Sequence, residues 1–97
     1  MKKKISIFAS GGGSNAAKFF AHFQDHPNIE ITSVFTNNKS AGVIDKAEAF
    51  NIPHHVYNRS YWQNGETIMQ ILADEEIDFI VLAGFMLLIP AALVKRY

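Results

Sequence analysis

The run Ser10-Gly11-Gly12-Gly13-Ser14-Asn15 has the residue types to hold an anion. Its glycines leave backbone N–H groups uncovered, and hydroxyl and carboxamide donors follow at Ser14 and Asn15. If the run opens a helix, the first N–H groups of that helix and its dipole favour negative charge at the same place. The expected ligand is a phosphate. A side chain at Gly13 is expected to stand where the anion approaches. Ser14 or Asn15 has an alternative role as a plain helix N-cap, and capping and ligand binding are compatible.

The glycines fit G-x-G-x-x-A over Gly11 to Ala16, which marks a dinucleotide site when an acid follows about 20 residues on. That place holds Phe35-Thr36-Asn37-Asn38 and no acid. No Gly-Lys-Ser/Thr follows the glycines either, so a nucleoside triphosphate loop is excluded. What remains is one phosphate group cradled by main chain. A second stretch, Leu82-Ala83-Gly84-Phe85-Met86-Leu87-Leu88-Ile89, has a glycine to turn on and apolar residues after it. These can line a slot for a flat ring system, or they can be ordinary core.

The histidines do not assemble a site. His22 and His26 have the i, i+4 spacing of a helical zinc pair, but no H-E-x-x-H surrounds them and Pro27 follows at once. His54 and His55 fall on a short strand, where neighbouring side chains face opposite ways and cannot share an ion. No metal site is expected. Asp74-Glu75-Glu76 reads as a solvated acidic helix end, in which Glu75 and Glu76 show no partner in sequence and are assigned no catalysis.

Alternating strand and helix patterns must position these residues. Strands are expected over Ile5–Phe8, Ile29–Phe35, His54–Tyr57 and Phe79–Ala83. Helices are expected over Asn15–Gln24, Gly42–Phe50, Glu66–Glu75 and, with Pro90 in its first turn, Pro90–Tyr97. The order β-α-β-α-β-α-β implies an α/β, Rossmann-like parallel sheet with strand order 3-2-1-4 and helices on both faces. The fourth strand is apolar throughout and reads as a central strand covered on both faces. Residues 84–97 supply no neighbour for its second edge. The chain therefore reads as the front half of a larger domain that continues past Tyr97 into a further strand.

Composition narrows the partners. The 97 residues make one domain, 1–97, and 48% apolar content supports a real core. Nine basic residues balance nine acidic ones, so there is no charge footprint for nucleic acid or a membrane surface. The run Lys2 to Lys4 reads as a solvated strand entry. Cysteine is absent, which excludes disulfides and thiolate chemistry and fits a reducing, cytoplasmic location. No secretory signal is visible, and the apolar segment Phe79–Pro90 is shorter than the roughly 20 residues a bilayer span needs.

Taken together, Phe8-Ala9-Ser10-Gly11-Gly12-Gly13-Ser14-Asn15 and Asp78-Phe79-Ile80-Val81-Leu82-Ala83-Gly84-Phe85-Met86 resemble the phosphoribosylglycinamide formyltransferases. The resemblance runs through all 97 residues and covers the first half of that family's usual length. It implies the first half of a formyltransferase domain, which transfers a formyl group from 10-formyltetrahydrofolate to the amine of glycinamide ribonucleotide in de novo purine synthesis. Gly13, Ser14 and Asn15 match the segment that binds the ribonucleotide phosphate. Met86, Leu87, Leu88 and Ile89 match the loop that contacts the pterin, with Leu87 where the family commonly has arginine. Arg59 matches a folate-contacting arginine. The family's catalytic asparagine, histidine and aspartate lie beyond the position of Tyr97. The resemblance thus implies no catalytic residue within this chain, no metal, and no turnover by the 97 residues alone. Small-molecule substrates are the implied partners, and homo-oligomerisation stays open. Two alternatives also stay open: a non-catalytic nucleotide- or folate-binding fragment, and a related formyltransferase or formylfolate hydrolase.

Overall fold

In the computed structural model, which describes residues 2–87 and 89–97, the first strand sets the architecture. β1 (Lys3–Phe8) runs from exposed Lys3 and half-buried Lys4 into four buried residues. Successive side chains alternate between the sheet's faces, so Ile7 and Phe8 enter different cores. On one face Ile5, Ile7 and Val34 pack with Ala16 and Phe20 of α1 (Ser14–Phe23) and Val43 and Ala47 of α2 (Gly42–Ala49). On the other face Phe8 and Phe35 pack with Trp62, Ile68, Leu72 and Leu93. These four come from α3 (Arg59–Asn64), α4 (Glu66–Asp74) and α5 (Ala91–Arg96). Because both alternating sets of side chains are buried apolar residues, the strands read as nearly continuous hydrophobic runs.

β1 pairs in parallel with β2 (Ile29–Thr36) and β4 (Phe79–Leu82), and β2 pairs in parallel with β3 (His54–Val56). The order is β3-β2-β1-β4, as the alternation of elements predicts. Element bounds differ from the sequence reading by a residue or two. Pro90 stands as the N-cap of α5, immediately before its first turn.

β4 stands at the end of the order 3-2-1-4, as the sequence reading has it: among the described residues it pairs with β1, and Phe79 and Leu82 are 52% and 56% exposed. The segment between β3 and α4, to which the sequence reading assigns no element, carries α3. The Asn58 side chain caps it by accepting from the Ser60 N–H, and Gly65 closes it at φ 74°. Pro90 sits so close to Gly65 that a Cβ there would lie 2.8 Å from its Cγ. One fully buried residue, Trp62, anchors this helix, too little for a periodicity to register.

One expectation is corrected: Glu75 has partners, and its side chain is only 20% exposed. The β1–β2 register shifts between Ile5 and Ser6, which brings Ser6 opposite Ser33 with both buried. Ser33 Oγ donates to Glu75 Oε1 at 2.7 Å, so the Ser6–Ser33 hydroxyl contact of 2.9 Å has Ser6 as donor. Glu75 Oε2 meets His55 Nε2 at 3.0 Å, and the His55 ring lies 4.6 Å from that of Phe35. A polar chain therefore crosses the sheet on its α4 face. With the carboxylate between serine and histidine, the imidazole does not meet the hydroxyl, so this is not the Ser-His-acid order of a nucleophile triad.

Candidate functional site

The site residues collect at the carboxyl ends of β1, β2 and β4, where open parallel sheets bind ligands. The glycine run leaves β1 and enters α1. Gly13 is the N-cap, at φ 77° and ψ 20°, and no side chain caps the helix. The alternative that Ser14 or Asn15 is the N-cap is therefore corrected. Both stand in the first turn, exposed, and neither side chain has a hydrogen-bond partner among the described residues. The first turn of α1 accordingly presents N–H groups with no intrahelical acceptor, beside a free hydroxyl and carboxamide.

Gly13 is required for a different reason from the one its sequence context implies. A Cβ there would lie 2.7 Å from Val43 Cα and Cβ. It would collide with α2 rather than stand in the anion's path. Gly11 and Gly12 have open space where a Cβ would be. The Val43 N–H donates to Gly11 O at 3.2 Å, so α2 supports the loop from beneath.

Ser10 is the functional candidate that the sequence reading passed over. Its hydroxyl donates to Asn37 Oδ1 at 2.6 Å and accepts from the Met86 N–H at 2.8 Å. Its own N–H donates to Gly84 O at 3.3 Å, and Gly84 turns at φ 75°. One side chain, 8% exposed, thereby ties together the ends of β1, β2 and β4. The signal available in sequence was position: a small hydroxyl residue at the last buried place before an unconstrained glycine run. Asn37 stands where a dinucleotide site carries its acid, and here its acceptor is committed to Ser10.

Four of the five residues matched to folate contacts line one cavity of about 380 Å³: Arg59, Met86, Leu87 and Ile89, with Trp62, Gln63 and Pro90. Leu88, the fifth, lies outside the described residues. The cavity wall is rigid on its inner side. Trp62 donates its indole N–H to Tyr57 O at 2.9 Å, and its ring packs 4.5 Å from Phe85 and 4.9 Å from Phe8. Met86, 80% exposed, is shared with a neighbouring cleft of about 770 Å³ bounded by Ser10, Asn37, Lys39 and Tyr57. Gly13, Ser14 and Asn15 line neither cavity; Ser10 and Met86 connect the two regions.

Among the described residues, no group of three or more His, Asp or Glu side chains is placed to hold a metal. His22 and His26 both pack edge-on to Phe23, and His26 Nδ1 accepts from the Asn28 N–H. No helix of the described residues is long and apolar enough to cross a membrane.

Comparison with known proteins agrees with this geometry. The chain is 30% identical to the Bacillus subtilis phosphoribosylglycinamide formyltransferase over 100 residues, covering 98% of this chain and 51% of that protein. It is 30% identical to the chloroplastic phosphoribosylglycinamide formyltransferase of Arabidopsis thaliana over 102 residues, covering 99% of this chain and 35% of the relative. The crystal structure of the phosphoribosylglycinamide formyltransferase of Anaplasma phagocytophilum superposes with a TM-score of 0.89 at 28% identity, covering 98% of this chain and 45% of that one. The chain thus spans about half the length of the Bacillus relative and about a third of the Arabidopsis one. The formyl transferase family model matches residues 3–97, and with a 3-2-1-4 parallel sheet and a glycine loop at its carboxyl edge the chain belongs to the formyl transferase family.

Proposed function

We propose that this chain is the substrate-binding half, residues 1–97, of an enzyme that moves a formyl group from 10-formyltetrahydrofolate to the amine of glycinamide ribonucleotide in purine synthesis. One observation carries the reading. The end of β1 that leads into the glycine loop is joined to the cavity lined by Arg59, Met86, Leu87 and Ile89 by the hydrogen bond from the Met86 N–H to Ser10 Oγ. Two ligands held on either side of that bond meet at the strand ends.

In this reading the phosphate of the ribonucleotide lies at the backbone of Gly13, Ser14 and Asn15, with the two side chains adding hydrogen bonds. The pterin lies against Met86, Leu87, Leu88 and Ile89, and Arg59 faces the anionic end of the folate. The chain's part in the reaction is to bring the two substrates together and hold them, a contribution that can be large in a bimolecular transfer. We assign catalysis to none of its residues. His55 is engaged by Glu75 and His26 by a backbone amide, which leaves neither poised over the substrates. The cosubstrate is the folate itself, with no metal, and the setting is the cytoplasm.

Isothermal calorimetry on the 97-residue chain tests the proposal. Glycinamide ribonucleotide and 5-formyltetrahydrofolate, a stable reduced pterin, are each expected to bind, and no formyl transfer is expected when 10-formyltetrahydrofolate replaces the stable analogue. Binding of neither ligand refutes the reading. Turnover by these residues alone would place the catalytic group among side chains excluded above.

A further inference from the structure

We infer that Ser10 is a positioning residue that couples the two ligand loops, so that a phosphate bound at the glycine loop raises the affinity of the Met86 cavity for a pterin, and the reverse. The inference rests on the proposed function for the identity of the ligands, and on the hydrogen bonds around Ser10 for the coupling.

The two loops differ from their junction in burial. Gly11, Gly12, Ser14 and Asn15 are exposed, and Met86 is 80% exposed, whereas Ser10 is 8% exposed. Nothing lies within 4 Å of where a side chain at Gly11, Gly12 or Gly84 would project. Each loop is supported on its inner side, the glycine run by the Val43 N–H on Gly11 O at 3.2 Å and the Gly84–Met86 turn by Phe85 on Trp62. The two are linked to each other through Ser10, by its hydroxyl to the Met86 N–H and by its own N–H to Gly84 O. Ser10 has one proton, and Asn37 Oδ1 takes it at 2.6 Å. That leaves the oxygen's lone pairs aimed away from Asn37, where the Met86 N–H meets them at 2.8 Å. The contact is directional and part-buried, and Asn37 fixes its orientation.

A ligand that orders one loop through Ser10 pays part of the ordering cost of the other, which is a coupling free energy between sites. One such hydrogen bond is worth about threefold to tenfold in affinity. Thermodynamic reciprocity requires the same factor in both directions.

The test is a pair of calorimetric titrations on the full chain. The affinity for 5-formyltetrahydrofolate is measured without and with saturating glycinamide ribonucleotide, and the ratio of the two is the readout. The wild-type ratio is expected at about 3–10. Ser10→Ala is expected to bring it to about 1, because it removes the acceptor for Met86 and the donor for Asn37 together. Ser10→Thr keeps the hydroxyl and is expected to restore the ratio. If Ser10→Ala fails to fold, Asn37→Ala serves in its place. It leaves the serine and removes only the group that orients its proton, and is expected to lower the ratio; Asn37→Asp, which keeps an acceptor, should preserve it. A residue with only a structural role would lower the urea midpoint and leave the ratio unchanged, so a folded Ser10→Ala protein with the wild-type ratio overturns the inference. A wild-type chain that binds both ligands with a ratio of 1 overturns it too, while the proposed function stands. A wild-type chain that binds neither ligand overturns both.

Discussion

Replacing Gly13 with alanine should act through folding, and the structure allows the size to be worked out. Two independent terms contribute. A non-glycine residue held at φ 77° in the left-handed region costs roughly 1–2 kcal/mol. The new Cβ would also lie 2.7 Å from Val43 Cα and Cβ and 2.9 Å from its Cγ2. Two of those atoms are branch point and backbone, which cannot swing aside, so α2 or the loop must shift. Overpacking of that kind costs about 1–3 kcal/mol. The combined loss of about 2–5 kcal/mol is a large share of the roughly 5–15 kcal/mol expected for a domain of this length. Equilibrium urea unfolding followed by Trp62 fluorescence should show the midpoint fall on the order of 1–3 M. Gly11→Ala is the matched control in the same loop. A methyl group there meets nothing within 4 Å, and its stability should stay within about 0.5 kcal/mol of wild type. Because the Gly13 methyl points into α2, the folded fraction of Gly13→Ala should keep the phosphate affinity of the wild-type chain. Equal midpoints for the two variants would refute the argument, and so would a folded Gly13→Ala protein that had lost phosphate affinity alone.

Glu75→Ala should lower stability by about 1–2 kcal/mol, because it withdraws an acceptor from buried Ser33 as well as a partner from His55. A double-mutant cycle with His55→Ala, read by urea unfolding, should give a coupling of about 0.5–1 kcal/mol for the partly exposed His55–Glu75 pair, and zero coupling would sever the chain of contacts. Arg59→Ala should leave the unfolding midpoint near wild type, since the residue is exposed, and should weaken 5-formyltetrahydrofolate about threefold to tenfold by calorimetry. Unchanged affinity would remove Arg59 from the site.

The strand order and the two helical faces were legible because each element signals itself locally. Ala16 and Phe20, Val43 and Ala47, and Ile68 and Leu72 repeat at helical spacing, and all six are buried. Arg59, Met86, Leu87 and Ile89 were legible only through the resemblance; nothing in their local pattern places Arg59 beside a loop nearly thirty residues later. What stayed hidden depends on long-range contacts. Ser10, Asn37 and Met86 look unremarkable one by one, and their hydrogen bonds span 27 and 76 positions. Glu75 reads as a surface acid because its partners Ser33 and His55 are 42 and 20 positions away.

The close approach of Gly65 and Pro90 has a consequence for how this protein can diversify. The stretch between Met86 and Pro90 is pinned at both ends, by a hydroxyl at Met86 and by the α3–α4 junction at Pro90. Leu87 and Ile89 line the cavity and also pack against the core around Phe8 and Trp62. Ligand preference can therefore drift at these two positions by substitutions that keep their core-facing volume, whereas any residue larger than glycine at position 65 would displace Pro90 itself.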